Sequence, residues 1–419
     1  MIWIYRIALY ALLFGVSAIA YGGNAGSPFI EKAVNGLTLV GILALVGFYF
    51  KYPVLYKIAA WMLFLGVILL LLESKYEYNQ YVYSYFVIKR FAFCGLALLA
   101  YYVVERAEPL KFSYVVYIIF GLYLINQILL GQLFSYALTA ETRTTAAPDA
   151  LYLVIPFVYY LVNYLKEHAI SDLLKSLFTF AFIVFLLHRS VMTAAVVAAA
   201  VVIGLTAIGK LASANLPLGR TLIMLVVLVI IAMPLAGSLP GKKMEAFAES
   251  IGGIFDPKED ETGSWRIEQS EFYLSQIPAR PLFGWRYAGY DRGEIMGNDE
   301  FPDKGTFIHS QYVDMLYNYG AVGLGINLLL IIGTLITIYR RNHKFTTEHA
   351  VLFSFIICGI VYGVSYQLPL YYWTVVGIGM FYGLKRPVVD LTEDDDSDLE
   401  TIAYSESQPV ALVKNQEIV

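Results

Sequence analysis

Residues 310–338 read SQYVDMLYNYGAVGLGINLLLIIGTLITI. From Met315 to Ile338 the run carries no charge, and it is long enough to cross a bilayer as a helix. Immediately before it lies the opposite kind of sequence. The stretch from Gly237 to His309 is polar, holds Arg266, Arg280, Arg286 and Arg292, and closes on Thr306-Phe307-Ile308-His309-Ser310. The boundary between the two sets the fold: apolar helices in lipid, interrupted by one large polar segment.

Working outward, apolar runs of spanning length recur at approximately 2–21, 34–50, 53–72, 82–104, 112–131, 150–165, 173–188, 190–208 and 220–237, and after the polar segment at 310–338, 346–364 and 368–384. The composition agrees. Hydrophobic residues make up 58% of the chain and charged residues 15%, with a mean hydropathy of +0.63, more apolar surface than a water-soluble domain hides. The chain therefore reads as an all-α polytopic membrane protein of about twelve transmembrane helices. Residues 1–236 hold spans one to nine, 237–309 a large, partly helical loop, 310–384 spans ten to twelve, and 385–419 an acidic tail. The 34 tyrosines suit membrane–water interfaces, where the ring is buried and the hydroxyl wet. Ala18-Ile19-Ala20 has the form of a leader-peptidase site, but its upstream charge is only Arg6, and the segment reads as a retained first span.

Charge in the short connections orients the chain. With the N-terminus cytoplasmic, the inner connections hold Lys51, Lys57, Arg106, Lys111, Lys166, Lys175, Lys210, Arg220, Arg340, Arg341, Lys344, Lys385 and Arg386; the outer ones hold Lys32, Lys75, Arg143 and Arg189. Positive charge collects inside, as the insertion rule requires. The 237–309 loop then falls outside, in a bacterium the periplasm, and its arginines break the rule. An anionic ligand on that face explains them. The net charge of −4 misleads, because the tail concentrates acid at Asp390, Glu393, Asp394, Asp395, Asp396, Asp398 and Glu400; such a run reads as a disordered, solvated end. Cys94 and Cys358 both sit in apolar runs and read as buried small hydrophobes, not as a disulfide or zinc set. Within the loop, Lys242–Ile254 has the spacing of an interfacial helix, and Glu268–Gln276 that of a short helix stopped by Pro278 and Pro281.

Several features converge on the outer face. Arg189 ends the seventh span in Leu187-His188-Arg189-Ser190; alone it reads equally well as an interfacial anchor. Lys89-Arg90 lie in the outer half of the fourth span, at a depth where charge is costly and functional by default; no carboxylate within that span offers a partner. Arg266 sits in Gly263-Ser264-Trp265-Arg266-Ile267-Glu268, and His309 stands where the loop meets the tenth span. Arginine suits diphosphate, because its planar fork donates two parallel bonds and stays charged. Fixed cations stabilise charge developing on a leaving group. Histidine is a near-neutral base able to take an acceptor proton. Together these residues describe glycosyl transfer from a lipid-diphosphate donor, with no metal and no cofactor. Asp299, Glu300 and Asp303 near His309 have no dedicated metal spacing, and the chain has no nucleotide-binding glycine motif and no nucleic-acid signature.

At these residues the chain resembles the bacterial O-antigen ligase/polymerase superfamily. Arg266 followed by Arg280-Pro281-Leu282-Phe283-Gly284-Trp285 is similar to that family's Arg…Pro-Leu-Phe-Gly pattern. His309-Ser310-Gln311-Tyr312, with Tyr319-Gly320 and Gly323-Leu324, is similar to its His-Asn/Ser…Gly…Gly-Leu signature, and His188-Arg189-Ser190 to its arginine turn. Ser310 stands where many members carry Asn. The resemblance implies a GT-C-like membrane glycosyltransferase in the bacterial inner membrane with its site facing the periplasm. It implies an undecaprenyl-diphosphate-linked glycan donor, inverting and metal-independent transfer, Arg189 and Arg266 on the diphosphate, and His309 activating the acceptor. Lys89, Arg90, Arg280 and Arg286 are further candidates for substrate contact. The acceptor is a lipid-linked repeat unit for a polymerase or lipid A–core for a ligase. His309-Ser310-Gln311-Tyr312-Val313-Asp314 lies nearer the polymerases, for which a chain-length regulator is an additional partner beside membrane lipids. A ligase that glycosylates protein is a third member of the same class. From another class, a flippase or transporter of lipid-linked oligosaccharide also fits the span count, but no related halves or midplane helix breaks are evident.

Overall fold

The computed structural model describes residues 2–15, 17, 28–81, 87–107, 111–129, 145–217, 219, 261–286 and 308–385. Among them the regular structure is helical; the one exception is an isolated bridge between Leu211 and Phe345. The helices are α1 (Ile2–Phe14), α2 (Pro28–Gly47), α3 (Val54–Tyr78), α4 (Val87–Ala92), α5 (Gly95–Ala107), α6 (Phe112–Leu129), the short α7 (Ala147–Ala150), α8 (Val154–Glu167), α9 (Ile170–Phe185) and α10 (Arg189–Ala207). After the polar segment begins come α11 (Glu261–Gln276), α12 (Gln311–Arg341), α13 (Thr347–Ser365) and α14 (Leu370–Leu384).

A helix falls on each expected apolar run except 220–237, which lies outside the described residues, as do Lys242–Ile254 and the acidic tail. Among the described residues five helices, α2, α3, α10, α12 and α13, are long and apolar enough to cross a membrane, or six if α5 and α6 count as one bent span. That supports an all-α, multi-pass membrane protein. The run at 82–104 is not continuous: it breaks at Phe93-Cys94 into α4 and α5. In the loop, α11 starts well before Glu268 and stops, as its prolines require, ahead of Pro278.

The packing is that of a bundle whose solvent is lipid. On α3, Leu65, Leu69 and Leu72 face outward, a costly arrangement in water that an acyl environment removes. At the centre α14 is buried on every side from Tyr371 to Met380. It lies so close to α5 that a Cβ at Gly377 would collide with the carbonyl oxygen of Ala97. Many tyrosines are buried in this interior. Tyr372 donates to Ile356 O (2.8 Å), Tyr319 to Val87 O (2.6 Å) and Tyr371 to Pro148 O (2.7 Å). A buried phenol needs an acceptor, and a carbonyl from a neighbouring segment supplies it.

Two contacts set the ends of the bundle. At one end Phe345 N donates to Lys210 O (2.7 Å) and Ala212 N to Phe345 O (3.0 Å), joining the exit of α10 to the entry of α13. The helices therefore run antiparallel, and the head of α10, Arg189, lies at the end of the bundle where α13 finishes at Tyr366. Each has 19 residues, so about 28 Å separates the two ends.

At the second end α12 is broken. Gly320 takes φ 64° and ψ −164°, a conformation other residues rarely adopt. The break frees peptide groups that the Pro281–Trp285 turn engages. Trp285 N donates to Tyr317 O (2.7 Å), Ala321 N to Pro281 O (2.8 Å) and Val322 N to Leu282 O (3.2 Å). A Cβ on Gly320 would strike the Leu282 carbonyl. Tyr273, Ile308, Val313 and Tyr317, with Phe272 and Trp285 against them, form a small separate core beneath this contact. Within the polar loop, α11 and the Pro281–Trp285 turn are thus seated on α12 by backbone and apolar contacts together.

Candidate active site at the loop–helix junction

The face of α11 that meets α12 carries Arg266, Gln269 and Tyr273, spaced i, i+3 and i+7. Tyr273 is the anchor, edge-on to Tyr317 with centroids 4.6 Å apart. One turn earlier, Gln269 is buried and reaches His309: its Oε1 is 3.2 Å from His309 N and 3.2 Å from Nδ1. Trp265 packs edge-to-face on the same imidazole, 5.1 Å between centroids at 89°. His309 is therefore held against the turn of α11 that includes Arg266.

Arg266 itself bends toward the end of α13. Its Nη2 donates to Tyr366 Oη (2.9 Å), and its guanidinium carbon lies 4.4 Å from the Tyr366 ring centroid. Tyr366 in turn stacks on Tyr362 at 5.1 Å. The partner is a neutral hydroxyl, so the contact orients the cation without cancelling its charge. Its buried Nε has no hydrogen-bond partner among the described residues. A desolvated N–H donor of this kind is suited to an anion.

Arg189 opens α10 at the same end of the bundle. Leu187, at φ 55°, turns the chain, and the buried His188 donates from Nε2 to Thr145 O (2.8 Å), which pins the turn. Half-buried Arg189 thus stands at a helix N-terminus, where backbone N–H groups add to its positive field.

The other sequence candidates have different surroundings. Arg90 is buried and bonded from Nη1 to Asp314 Oδ1 (2.5 Å) and from Nη2 to Gln367 Oε1 (3.2 Å). The carboxylate that its own span lacks comes from α12. Lys89, half-buried beside it, lies within electrostatic reach of Glu31 on α2. Arg280 is exposed and sits 4.8 Å from the centroid of Trp285. Arg286 is ion-paired to Glu73 and lines a groove of about 930 Å³ with Leu69, Leu72, Tyr76 and Phe283. Arg292, Asp299, Glu300 and Asp303 lie outside the described residues. Among the described residues, no three metal-binding side chains gather.

Sequence reasoning missed Gln269, Trp265, Tyr366, Asp314 and Gln367. The 266/269/273 spacing was a usable signal for the first. The Arg90–Asp314 pairing spans 224 positions and left no local trace. Below the site, Gln367 Nε2 donates to Ile308 O (2.8 Å), and Gln311 Oε1 accepts from Leu368 N (3.0 Å) while its Nε2 donates to Asn327 (3.2 Å). This polar net ties the start of α12 to the α13–α14 connection.

No curated protein matches the chain. A family model described as O-antigen ligase matches residues 175–328, a segment that takes in the arginine turn, α11 and the head of α12. That segment is less than half of the chain and holds Arg189, Arg266 and His309; over it the chain is similar to the O-antigen ligase family, which supports kinship with the O-antigen ligase/polymerase superfamily.

Proposed function

We propose that this protein is a surface-polysaccharide polymerase of the bacterial inner membrane, moving an undecaprenyl-diphosphate-linked glycan onto the acceptor sugar of a lipid-linked repeat unit. The observation that carries the reading is the seating of α11 on the head of α12, which brings His309 to the turn of helix bearing Arg266. In the proposed reaction the imidazole of His309 takes the proton of an acceptor hydroxyl as that oxygen bonds the anomeric carbon. The anomeric bond to the diphosphate breaks, its electron pair leaves with undecaprenyl diphosphate, and the configuration inverts. Arg189 and Arg266 bind the diphosphate and stabilise its growing charge, the service fixed donors perform best in a site shielded from water. Neither step calls for a metal.

One observation favours a second reading. The matching family model is described as O-antigen ligase, which fits transfer of the finished chain to lipid A–core by the same parts. Arg189→Ala, Arg266→Ala and His309→Ala, expressed in a strain deleted for the gene, are each expected to abolish long-chain glycan while inserting normally. Normal ladders from all three would end the enzymatic reading. Accumulation of unpolymerised single-unit product marks a polymerase; lipid-linked long chains absent from lipid A mark a ligase. Transfer by purified protein without an ion gradient excludes a flippase.

A further inference from the structure

We infer that Gln269 is a positioning residue that dictates which nitrogen of His309 carries the proton; the inference rests on the role of His309 as base proposed above. Gln269 is 1% exposed, and a neutral amide that deeply buried must be matched atom by atom. One side-chain atom faces two groups of His309, the main-chain N–H and ring Nδ1, each at 3.2 Å. The main-chain N–H only donates, so the facing atom is the oxygen, Oε1, and the amide orientation is fixed. An amide oxygen carries no hydrogen. Nδ1 must therefore donate to it, and the neutral imidazole holds its lone pair on Nε2. That is the form a proton acceptor needs.

The ring is also fixed in space. The peptide joining Ile308 to His309 is gripped from both sides: its N–H by Gln269, its carbonyl by Gln367. Gln367 is held in turn by Arg90. Trp265 sets the ring plane by its perpendicular contact. Among the described residues the charged groups around the junction include Arg266 on α11, the matched Arg90–Asp314 pair reached through Gln367, and Arg189 at the same end of the bundle; Glu268 is exposed and takes a bond from Ser264.

The test uses full-length protein purified in detergent. Membranes from a strain deleted for the gene serve as the source of lipid-linked glycan and acceptor, and transfer is followed across pH. Gln269→Met keeps the volume and removes the acceptor. It is expected to lower the rate roughly ten- to a hundred-fold, the loss usual when a working histidine loses its outer partner, with little change in donor KM. Gln269→Glu restores the acceptor and adds a charge that favours imidazolium. The acid limb of its profile is expected to move up by about one to two pH units, with activity recovered above it. A merely structural amide would not move that limb. A Gln269→Glu profile superimposable on wild type, with His309→Ala inactive, overturns the inference and leaves the base in place. A wild-type rate from Gln269→Met does the same. An active His309→Ala instead removes the base reading itself. Should the Met variant fail to fold, the Glu variant carries the test alone.

Discussion

The Arg90–Asp314 pair lends itself to a quantitative test. Both side chains are out of solvent, at 8% and 1% exposure, and the contact is 2.5 Å long. Asp314 Oδ1 also accepts from Asn318 (3.0 Å), and Arg90 donates onward to Gln367. Asp314→Ala removes the carboxylate from a guanidinium in a low-dielectric interior, while the Gln367 amide oxygen still accepts from it. Removing one partner of a buried pair costs about 3–5 kcal/mol, because the surviving charge keeps its desolvation penalty and loses its compensation. Arg90→Met removes the cation from the buried carboxylate, which keeps its bond from Asn318, and is expected to cost a similar amount. Arg90→Met with Asp314→Ala removes both charges, and buried pairs replaced by apolar groups are often neutral. The double variant is thus expected to be no less stable than either single, giving a coupling of at least about 3 kcal/mol, the upper end for contacting residues. The measurement is the unfolding midpoint of each purified variant in a denaturant titration in mixed micelles, closed as a double-mutant cycle. Additive losses, with coupling below about 0.5 kcal/mol, would refute the claim that the pair is mutually compensating.

Gly320→Ala is expected to cost about 1–3 kcal/mol from backbone conformation alone, before any clash with Leu282, and to unseat the Pro281–Trp285 turn; limited proteolysis should then cut the loop faster, and unchanged protection would contradict the account of the break. The Arg286–Glu73 pair is about one-fifth exposed, so Glu73→Ala is expected to change stability by less than about 1 kcal/mol and leave glycan transfer intact; loss of transfer at unchanged stability would move Arg286 among the substrate contacts.

The apolar runs were legible because lipid leaves the chain little choice: a backbone in hydrocarbon must bond to itself, and long uncharged stretches announce where it does so. The stop of α11 before Pro278 was legible for an equally local reason, the missing N–H of proline. The seating of the loop was half legible. Pro281–Trp285 and Tyr319-Gly320 stood out as patterns, but their mutual contact is a backbone match between distant segments, and backbone atoms have no letters. The burial of tyrosines such as Tyr371 and Tyr372 was not legible, because composition counts hydroxyls without showing which carbonyl lies opposite. Arg90 looked partnerless for the same reason: a search confined to its own span does not find Asp314. Gln269 was passed over because a neutral polar residue on a mixed helix looks solvated until its neighbour is known.

The break at Gly320 also sets where this chain can be recombined. Chimeras that trade the polar loop between relatives would naturally splice at His309, where polar sequence gives way to apolar. Such a splice would part the Pro281–Trp285 turn from the three peptide groups of α12 that receive it, Tyr317 O, Ala321 N and Val322 N. A workable crossover lies past Val322, so the first turns of α12 travel with the loop as one inherited block.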